Sequence, residues 1–390
     1  MMDLTNEIEK HYEDMVAIRR HMHMHPEVSF EEENTKRYIY EQIRDLGFDV
    51  RQDVGGNGIV ARLHVNDDYE TVGLRADFDA LPIQDEKDVP YASTASGVMH
   101  ACGHDAHTAM LITSARILAA HREELPVNVV FIHQHAEELL PGGAKAMVED
   151  GALEGVDYVF GTHVSSLYPV GTLSYTYDYA FASADAFSIE IEGRGGHGAE
   201  PHEAIDPVVA AASLIQQMQT IVSRTVDPLK SAVVTVATFN GGSSFNVIPN
   251  TTEVSGTVRT FEKEVKEGVQ ERIEGIVRGV ESSFDVKCNL NYTEGYPALL
   301  NDNEKLDHTL DALKDASYVK SCEENPPSMG GEDFSYFLQN RPGCYFYTGV
   351  RNSEIGADQP HHHPLFDIDE RGMKAGVESL VKIVLGFGKK

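Results

Sequence analysis

The chain of 390 residues is long enough for two domains, and its 41% hydrophobic and 24% charged residues are typical of a soluble globular protein. Its formal net charge of -30 argues against nucleic acid and anionic membranes as partners, because both require clustered Lys and Arg. No apolar run reaches about 18 residues, and the N-terminus lacks a basic segment followed by an apolar core. We therefore expect a cytoplasmic protein without a membrane span or a secretory signal.

Up to His163 the sequence predicts alternating helices and strands, which is typical of an α/β domain. The continuous apolar run at 127–133 favours a strand that is buried on both faces of a largely parallel sheet. Pro26 and Gly47 indicate where the first two helices end. We predict helices at 6–21, 31–46, 105–123 and 142–150, and strands at 48–54, 58–65, 71–78, 127–133 and 157–163.

Near Ser183 the pattern changes to β-α-β-β-α-β, the order of ferredoxin-like α+β domains. Its strands are predicted at 184–192, 232–240, 252–260 and 285–292, and its helices at 207–224 and 263–282. Asp206 and Pro207 are favourable residues for the start of the first of these helices. The α/β pattern then resumes, with helices at 303–316, 332–339 and 370–386 and a strand at 344–349. We therefore predict an α/β domain at 1–182 and 296–390, interrupted by an inserted ferredoxin-like domain at 183–295.

Histidine is the unusual residue type, because several of the 18 histidines form separate clusters. The four cysteines contain no C-x-x-C pair, which argues against a zinc finger and a thioredoxin motif. Hydrolytic metal sites take His, Asp, Glu and sometimes Cys from loops at the carboxyl ends of strands. Four segments of this chain fit that description, although most scattered histidines need carry no role.

The first segment is 100–107, in which Cys102 and His104 stand just before a predicted helix. A helix N-terminus favours a thiolate, so the pair could bind a metal. An inert buried cysteine beside a core histidine remains the alternative.

The second segment, 133–138, follows a buried strand and ends in Glu137 and Glu138. One carboxylate could bind metal while its neighbour acts as a general base, provided that the backbone turns between them. A solvated acidic face is the alternative. The third candidate is His163 at the end of a strand, and the fourth is the triple histidine 361–363, between two prolines.

Together these segments resemble the aminoacylase, hippurate hydrolase and auxin-conjugate hydrolase group of dinuclear metallopeptidases, over nearly the whole chain. The element Cys-Gly-His-Asp at 102–105 is similar to the subgroup in which a cysteine bridges the two metals. The motifs that carry the resemblance, in order, are RRHMHMHPEVSFEE at 19–32, GLRADFDALP at 73–82, MHACGHDAH at 99–107, GRGGH at 193–197, NVIPN at 246–250 and GEDF at 331–334.

The resemblance implies five metal ligands and one base. Cys102 would bridge, Glu138 and His362 would complete one site, and His104 and His163 would complete the other, with Glu137 as the general base. His362 is preferred to His361 because the family pattern is a ligand, one residue, then proline. Asp77 resembles the aspartate that orients a metal-bound histidine, and Asp79 competes for that role.

The resemblance also gives the inserted domain the role of a lid and dimerisation domain, and the outer domain that of the catalytic domain. The developing oxyanion of the reaction needs further donors, and the inserted domain offers His197, with Asn246 and Arg259 nearby in its motifs. In the family, a histidine at the His197 position reaches into the partner subunit's site, which implies a homodimer. Arg259 could hold a substrate carboxylate through a bidentate pair. The alternatives are a turn residue for His197 and a strand-surface ion pair for Arg259. Glu332 and Asp333 open a predicted helix, where carboxylates are favourable in any case.

The resemblance implies hydrolysis of the amide bond of a small N-acyl amino acid by a water molecule that two divalent metals activate. It favours Mn²⁺, whereas a thiolate bridge suits softer ions such as Zn²⁺. A dipeptidase or aminopeptidase on the same site is one alternative. A non-catalytic binding protein with the same fold is another, but the presence of Glu137 and all five proposed ligands argues against it.

Overall fold

A computed structural model of the chain describes residues 2–388. Its α-helices are α1 (Leu4–Met24), α2 (Glu33–Ile43), α3 (His104–Ala120), α4 (Ala144–Glu149), α5 (Pro207–Thr220), α6 (Lys263–Phe284), α7 (Asn303–Ala312), α8 (Ser335–Leu338) and α9 (Met373–Gly386). Its strands are β1 (Asp49–Val54), β2 (Gly58–Leu63), β3 (Thr71–Asp77), β4 (Asn128–Gln134), β5 (Tyr158–Pro169), β6 (Thr172–Tyr175), β7 (Tyr179–Phe181), β8 (Ala184–Glu192), β9 (Gly196–His197), β10 (Ala232–Gly241), β11 (Val247–Ile248), β12 (Thr251–Thr260), β13 (Lys287–Tyr296), β14 (Leu299–Leu300), β15 (Ser321–Glu324) and β16 (Gly343–Arg351).

The described chain divides into two compact units. Unit 1 comprises residues 2–180, 300–327 and 332–388, and unit 2 comprises residues 181–299 and 328–331. The short second segment of unit 2 lies outside the predicted insertion at 183–295. None of the helices in the described part of the chain is long and apolar enough to cross a membrane.

Unit 1 is built around an eight-stranded mixed sheet in the order β1-β2-β4-β3-β5-β16-β6-β15. Its four central strands, β4, β3, β5 and β16, run parallel to one another, and antiparallel pairs lie towards the edges. Every residue of β4 is buried, as expected for a strand that is covered on both faces. The predicted α/β domain with a large, mostly parallel sheet is therefore confirmed.

This parallel arrangement positions the candidate site. The carboxyl ends of β3 and β4 lie side by side, with Asp77 paired with Gln134, so the loops that follow them meet at one edge of the sheet. Helix α3 begins at His104 and is buried over most of its length. Its apolar residues belong to the same core as those of α1 and α9.

Unit 2 contains a four-stranded antiparallel sheet in the order β10-β12-β8-β13. Helices α5 and α6 pack on it, and their residues Leu214 and Ile273 share a core with Ile189 of β8. Helix α5 begins where the sequence predicts, because Asp206 accepts hydrogen bonds from the first-turn amides and Pro207 needs no amide partner there.

Several short elements differ from the prediction. Strand β5 continues six residues beyond His163, because β16 pairs with it as far as Pro169. The predicted helix 332–339 is wrong except for the single turn of α8. Strands β6 and β15 were not predicted, because short segments without an alternating pattern become strands only when they pair with neighbouring strands.

Candidate metal centre

Cys102 and His104 flank the start of α3, where Gly103 has a φ of 93°. A Cβ at Gly103 would collide with Val164, so glycine is required both by the backbone conformation and by the close packing. Nδ1 of His104 lies 3.1 Å from a carboxylate oxygen of Asp79. Its Nε2 is buried and no described residue hydrogen-bonds to it, which leaves that atom available to a ligand.

His163 faces Cys102 from β5, with 3.3 Å between its Nε2 and the Cys102 Sγ. Its Nδ1 lies 2.6 Å from the carbonyl oxygen of Val164. Because a carbonyl can only accept, Nδ1 carries the proton and Nε2 presents its lone pair towards the thiol. Both histidines on this side therefore aim Nε2 at the same region.

Glu138 and His362 form the opposite side of the centre. Ala136 has a φ of 50°, so the backbone turns just before Glu137 and Glu138. Oε1 of Glu138 lies 3.2 Å from Nε2 of His362 and 3.8 Å from Nε2 of His104. His362 also has a left-handed φ of 65°, a conformation that costs free energy and is enriched at functional sites.

His361, the competing histidine, has both ring nitrogens occupied by the backbone. Its Nδ1 lies 3.2 Å from the carbonyl oxygen of Cys102, and its Nε2 accepts from the amide of Ser166 at 3.3 Å. This geometry favours His362 over His361 as a ligand, in agreement with the sequence pattern.

The structure brings all five predicted ligand residues together as two triads that share Cys102. In each triad, Cys102–His104–His163 and Cys102–Glu138–His362, the potential ligand atoms lie within 4.8 Å of one another. The set of one thiol, one carboxylate and three imidazoles suits zinc or manganese. Oε1 of Glu138, like Nε2 of His104, is buried and has no hydrogen-bond partner among residues 2–388, so the residues present fit two divalent cations.

The protein groups alone do not favour a thiolate at Cys102. Burial raises the pKa of its thiol well above the ordinary value, and the carboxylates of Glu138 and Glu137 raise it further. Without a metal ion, burial and the two carboxylates therefore favour the neutral thiol, contrary to the expectation that the helix N-terminus favours a thiolate. A bound cation would reverse the balance by stabilising the negative sulfur.

Asp77 and Asp79 contact different histidines, which bears on the orienting role that the sequence left open between them. Asp79 lies closer to Nδ1 of His104, at 3.1 Å against 3.8 Å for Asp77. Asp77 instead lies 2.5 Å from Nδ1 of His107, whose Nε2 accepts from the amide of Val164 at 2.8 Å. Sequence reasoning missed His107 as a positioning group, although it ends the motif 99–107.

Glu137 is buried beside two further carboxylates. One oxygen each from Glu137, Glu332 and Asp333 lie within 4.8 Å of one another. Burial raises the pKa of Glu137 well above the ordinary value, and the negative charge of Glu332 adds to the shift. A raised pKa suits a group that must take up a proton during the reaction.

The three predicted residues of unit 2 do not come together within that unit. His197 pairs with Val247 in the β9–β11 ribbon, and the carbonyl of Asn246 accepts from the amide of Gly198. This ribbon adjoins the start of β12, because Asn250 binds the amides of 193 and 195. Arg259 lies eight residues beyond Thr251 on that strand, or about 26 Å at the rise of an extended chain.

Comparison with known proteins identifies the family of this chain. Residues 73–386 match the model of peptidase family M20/M25/M40. The chain belongs to this family. It is therefore a hydrolase, and the sequence resemblance to dinuclear metallopeptidases is confirmed.

Individual members of family M20/M25/M40 align over most of the chain. An N-acyl-L-amino acid amidohydrolase of Geobacillus stearothermophilus is 42% identical over 75% of this chain and 79% of its own length. Thermostable carboxypeptidase 2 of Saccharolobus solfataricus is 36% identical over 99% of this chain and 98% of its own. The crystal structure of the Bacillus subtilis YXEP protein, a dinuclear metal binding peptidase of the M20 family, has a TM-score of 0.84 at 32% identity and covers 97% of this chain and 98% of that one.

Proposed function

We propose that this member of family M20/M25/M40 hydrolyses the amide bond of N-acyl amino acids. The observation that carries the proposal is the pair of ligand triads sharing Cys102, with the buried carboxylate of Glu137 next to Glu138. The amidohydrolase relative supports the same reaction. The products are a carboxylate and a free amino acid.

The chain's own residues would hold two divalent cations. Cys102 would bridge them, Glu138 and His362 would complete one site, and His104 and His163 would complete the other. When bound, such a pair supplies a water molecule of lowered pKa and polarises the scissile carbonyl. Resemblance favours Mn²⁺, whereas the thiolate bridge also suits Zn²⁺.

Glu137 is assigned the proton transfers. Its carboxylate takes the proton from the attacking water and delivers it to the nitrogen of the leaving amine. Its burial keeps bulk water from competing for that proton, and its raised pKa strengthens it as a base.

The carboxylates around Glu137 argue against a substrate with a free α-amine, as an aminopeptidase or dipeptidase would require. Both oxygens of Glu332 accept hydrogen bonds, one from the Phe334 amide and one from the Tyr345 hydroxyl. Asp333 accepts from Gln134 and from the Ala144 amide. The carboxylate oxygens of these two acids therefore already accept hydrogen bonds from the protein and do not need a substrate ammonium group as a partner. This supports a substrate whose α-nitrogen is acylated. The carboxypeptidase relative fits the same logic, because an N-acyl amino acid resembles the C-terminal end of a peptide.

We propose that unit 2 is a ferredoxin-like lid and dimerisation domain. Arg259 is half-buried, and among residues 2–388 no group hydrogen-bonds to its guanidinium, so it can hold the substrate carboxylate. Because His197 and Asn246 lie at the opposite end of β12, we assign them to the site of the partner subunit, where they would bind the developing oxyanion. A homodimer follows from this assignment. The cytoplasmic location stays a prediction from the sequence.

The reaction and the metal count can be tested together. Metal-stripped protein is titrated calorimetrically with Mn²⁺ or Zn²⁺, and the loaded protein is assayed on N-acetyl-Ala and on Ala-Ala. Binding of two ions per chain and preferred hydrolysis of N-acetyl-Ala are expected. Preferred hydrolysis of Ala-Ala would establish the dipeptidase alternative, and failure to bind metal would revive the non-catalytic one.

The assignment of His197 to the partner subunit can be tested by mixing two inactive variants. Glu137→Ala and His197→Ala proteins are dissociated, mixed and reassociated. A mixed dimer has one site with both native residues only if His197 acts across the interface, so partial recovery of activity is expected. Recovery should be absent when either variant is reassociated alone.

A further inference from the structure

A fully buried arginine, Arg75 of β3, has contacts that lead both to the proposed ligand His163 and to the proposed base Glu137, although it belongs to neither triad. Its Nη1 donates to Asp77 at 2.6 Å, and its Nη2 donates to Asp333 at 3.0 Å. The same Nη2 lies 3.1 Å from Glu332, and Nε donates to the side-chain oxygen of Gln134 at 2.7 Å. One guanidinium therefore binds three carboxylates with a fixed fork of donors, which a lysine cannot reproduce.

One branch of contacts leads from Arg75 to a proposed ligand. The second oxygen of Asp77 lies 2.5 Å from Nδ1 of His107, and Nε2 of His107 accepts from the Val164 amide. The carbonyl of Val164 accepts from Nδ1 of His163, the hydrogen bond that turns Nε2 of His163 towards Cys102. The orientation of His163 therefore depends on a continuous chain of buried hydrogen bonds that begins at Arg75.

The other branch leads to the proposed base. Arg75 holds Glu332 and Asp333, whose carboxylates lie within 4.8 Å of that of Glu137. The Tyr345 hydroxyl fixes the second oxygen of Glu332 at 2.8 Å. Like charges at this separation repel strongly in a buried environment, so the guanidinium is what allows the carboxylates to remain together.

We propose that Arg75 is a positioning residue that sets the geometry of the base Glu137 and of the ligand His163 at the same time. This inference rests on the proposed function for its kinetic consequence, but not for its consequence for metal binding. Arg75 touches neither the ligand atoms nor the reacting atoms, and it acts through Asp77 on one side and through Glu332 and Asp333 on the other.

The test compares Arg75→Lys with Arg19→Lys. Arg19 is a matched control, because it is also fully buried and also binds three carboxylates, those of Asp105, Asp367 and Glu370. None of these three contacts leads to Glu137 or His163. Both variants are checked for folding by thermal unfolding, for Mn²⁺ affinity by calorimetry, and for kcat and KM on the best N-acyl amino acid.

Arg75→Lys should lower kcat by about 100-fold, the loss expected for misplaced reacting groups, while KM changes by less than about threefold. It should also weaken Mn²⁺ binding by about tenfold, as loss of ligand orientation does elsewhere. Arg19→Lys should lower the melting temperature similarly without either change. Wild-type kcat and Mn²⁺ affinity in folded Arg75→Lys protein would overturn the inference, and so would equal losses in Arg19→Lys. A wild-type protein inactive on N-acyl amino acids would instead refute the proposed function, and the Mn²⁺ affinities would still decide the role of Arg75.

A milder pair of variants covers the case in which Arg75→Lys does not fold. Tyr345→Phe removes only the hydroxyl that donates to Glu332, and Tyr158→Phe removes a hydroxyl that donates to Glu70 at the same distance of 2.8 Å near the surface. The Tyr345 hydroxyl also accepts a longer hydrogen bond, of 3.4 Å, from Nη1 of Arg75, which keeps its 2.6 Å bond to Asp77 in this variant. Tyr345→Phe should therefore lower kcat by about tenfold and weaken Mn²⁺ binding by much less than Arg75→Lys does. Tyr158→Phe should change neither quantity. An unchanged kcat in Tyr345→Phe would show that Glu137 does not depend on this branch.

Discussion

The two units hold their candidate residues in contrasting ways. In unit 1 every proposed metal-ligating histidine has a defined neighbour, and the carboxylates around Glu137 are buried and hydrogen-bonded. In unit 2, His197 and Asn246 are exposed on a short ribbon, and Arg259 is only half-buried. The first arrangement is held in place by the protein's own contacts, whereas the second would, on the proposed assignment, be completed only when a partner subunit meets it.

This difference suggests that the two units have different roles in the proposed reaction. Groups that handle metal and protons need fixed geometry, and burial with neighbouring hydrogen bonds provides it. A group that binds the substrate carboxylate, as proposed for Arg259, must let the substrate enter and leave, so it stays partly exposed. The following variants should therefore fall into two classes, with a lower kcat or weaker metal binding for the variants of unit 1 and a higher KM for the Arg259 variant of unit 2.

The largest effect is expected for Glu137→Gln. The amide cannot accept the proton from water, so kcat should fall by about 10² to 10⁴. The number of Mn²⁺ ions bound per chain should not change, because Glu137 is not assigned as a ligand. Glu149→Gln, at an exposed glutamate of α4, is the control and should behave like the wild type. Near-normal turnover in Glu137→Gln would refute the base assignment.

Arg259→Met should raise KM by about 10- to 100-fold with little change in kcat, because a charge-assisted hydrogen bond to the substrate carboxylate is lost. The measurement compares an N-acyl amino acid with its carboxamide on both proteins. The wild type should discriminate strongly between the two and the variant should not. Equal discrimination by both proteins would remove Arg259 from the carboxylate site.

Asp79→Asn separates the two aspartates near His104. Asp79 lies 3.1 Å from Nδ1 of His104. Loss of the Asp79 carboxylate should therefore weaken the binding of the metal ion that His104 would hold by about 10- to 100-fold. Calorimetric titration with Zn²⁺ provides the affinities. Unchanged affinities in Asp79→Asn, together with a loss in Asp77→Asn, would return the orienting role for His104 to Asp77.

The smallest expected effect is on the free energy of unfolding in acid, and it should arise from a buried histidine of unit 1 and not from an exposed histidine of unit 2. His133 of β4 is fully buried, and in the described part of the chain neither of its ring nitrogens has a hydrogen-bond partner. Burial lowers its pKa to about 3. The unfolded chain takes up this proton near pH 6.5, so the native state loses stability as pH falls from about 6.5 towards 3. At pH 5, His133→Leu should recover about 2 kcal/mol of the free energy of unfolding that the wild type has lost since pH 7.5.

Urea unfolding at pH 7.5 and pH 5 measures this difference. His202→Leu, at an exposed histidine of unit 2, is the control and should show the same pH dependence as the wild type. An equal loss of stability on acidification in His133→Leu and in the wild type would mean that His133 is not the group responsible.

The sequence predicted the longer helices and strands, whereas the candidate metal ligands, which the structure brings close together, stay a prediction. The buried strand β4, the helix after Cys102 and the glutamates that follow β4 can be recognised from local pattern, because a continuous apolar run and a glycine before a helix act over a few residues. The family resemblance then selected the ligand set and preferred His362 to His361. Strands β6 and β15 escaped because their conformation depends on partners far away in the chain.

What only the tertiary structure decided is which groups support the site. Asp77 and Asp79 are equivalent in local sequence, and their roles separate only because His107 and His104 approach them from α3. In the sequence, nothing distinguishes Arg75 from other strand residues, and only the structure shows that it contacts the carboxylates of residues 332 and 333. The separation of Arg259 from His197 likewise follows from strand length and pairing. Local sequence determines backbone conformation and residue chemistry, but the hydrogen-bond partners of a buried polar group come from distant segments, so they are settled by packing.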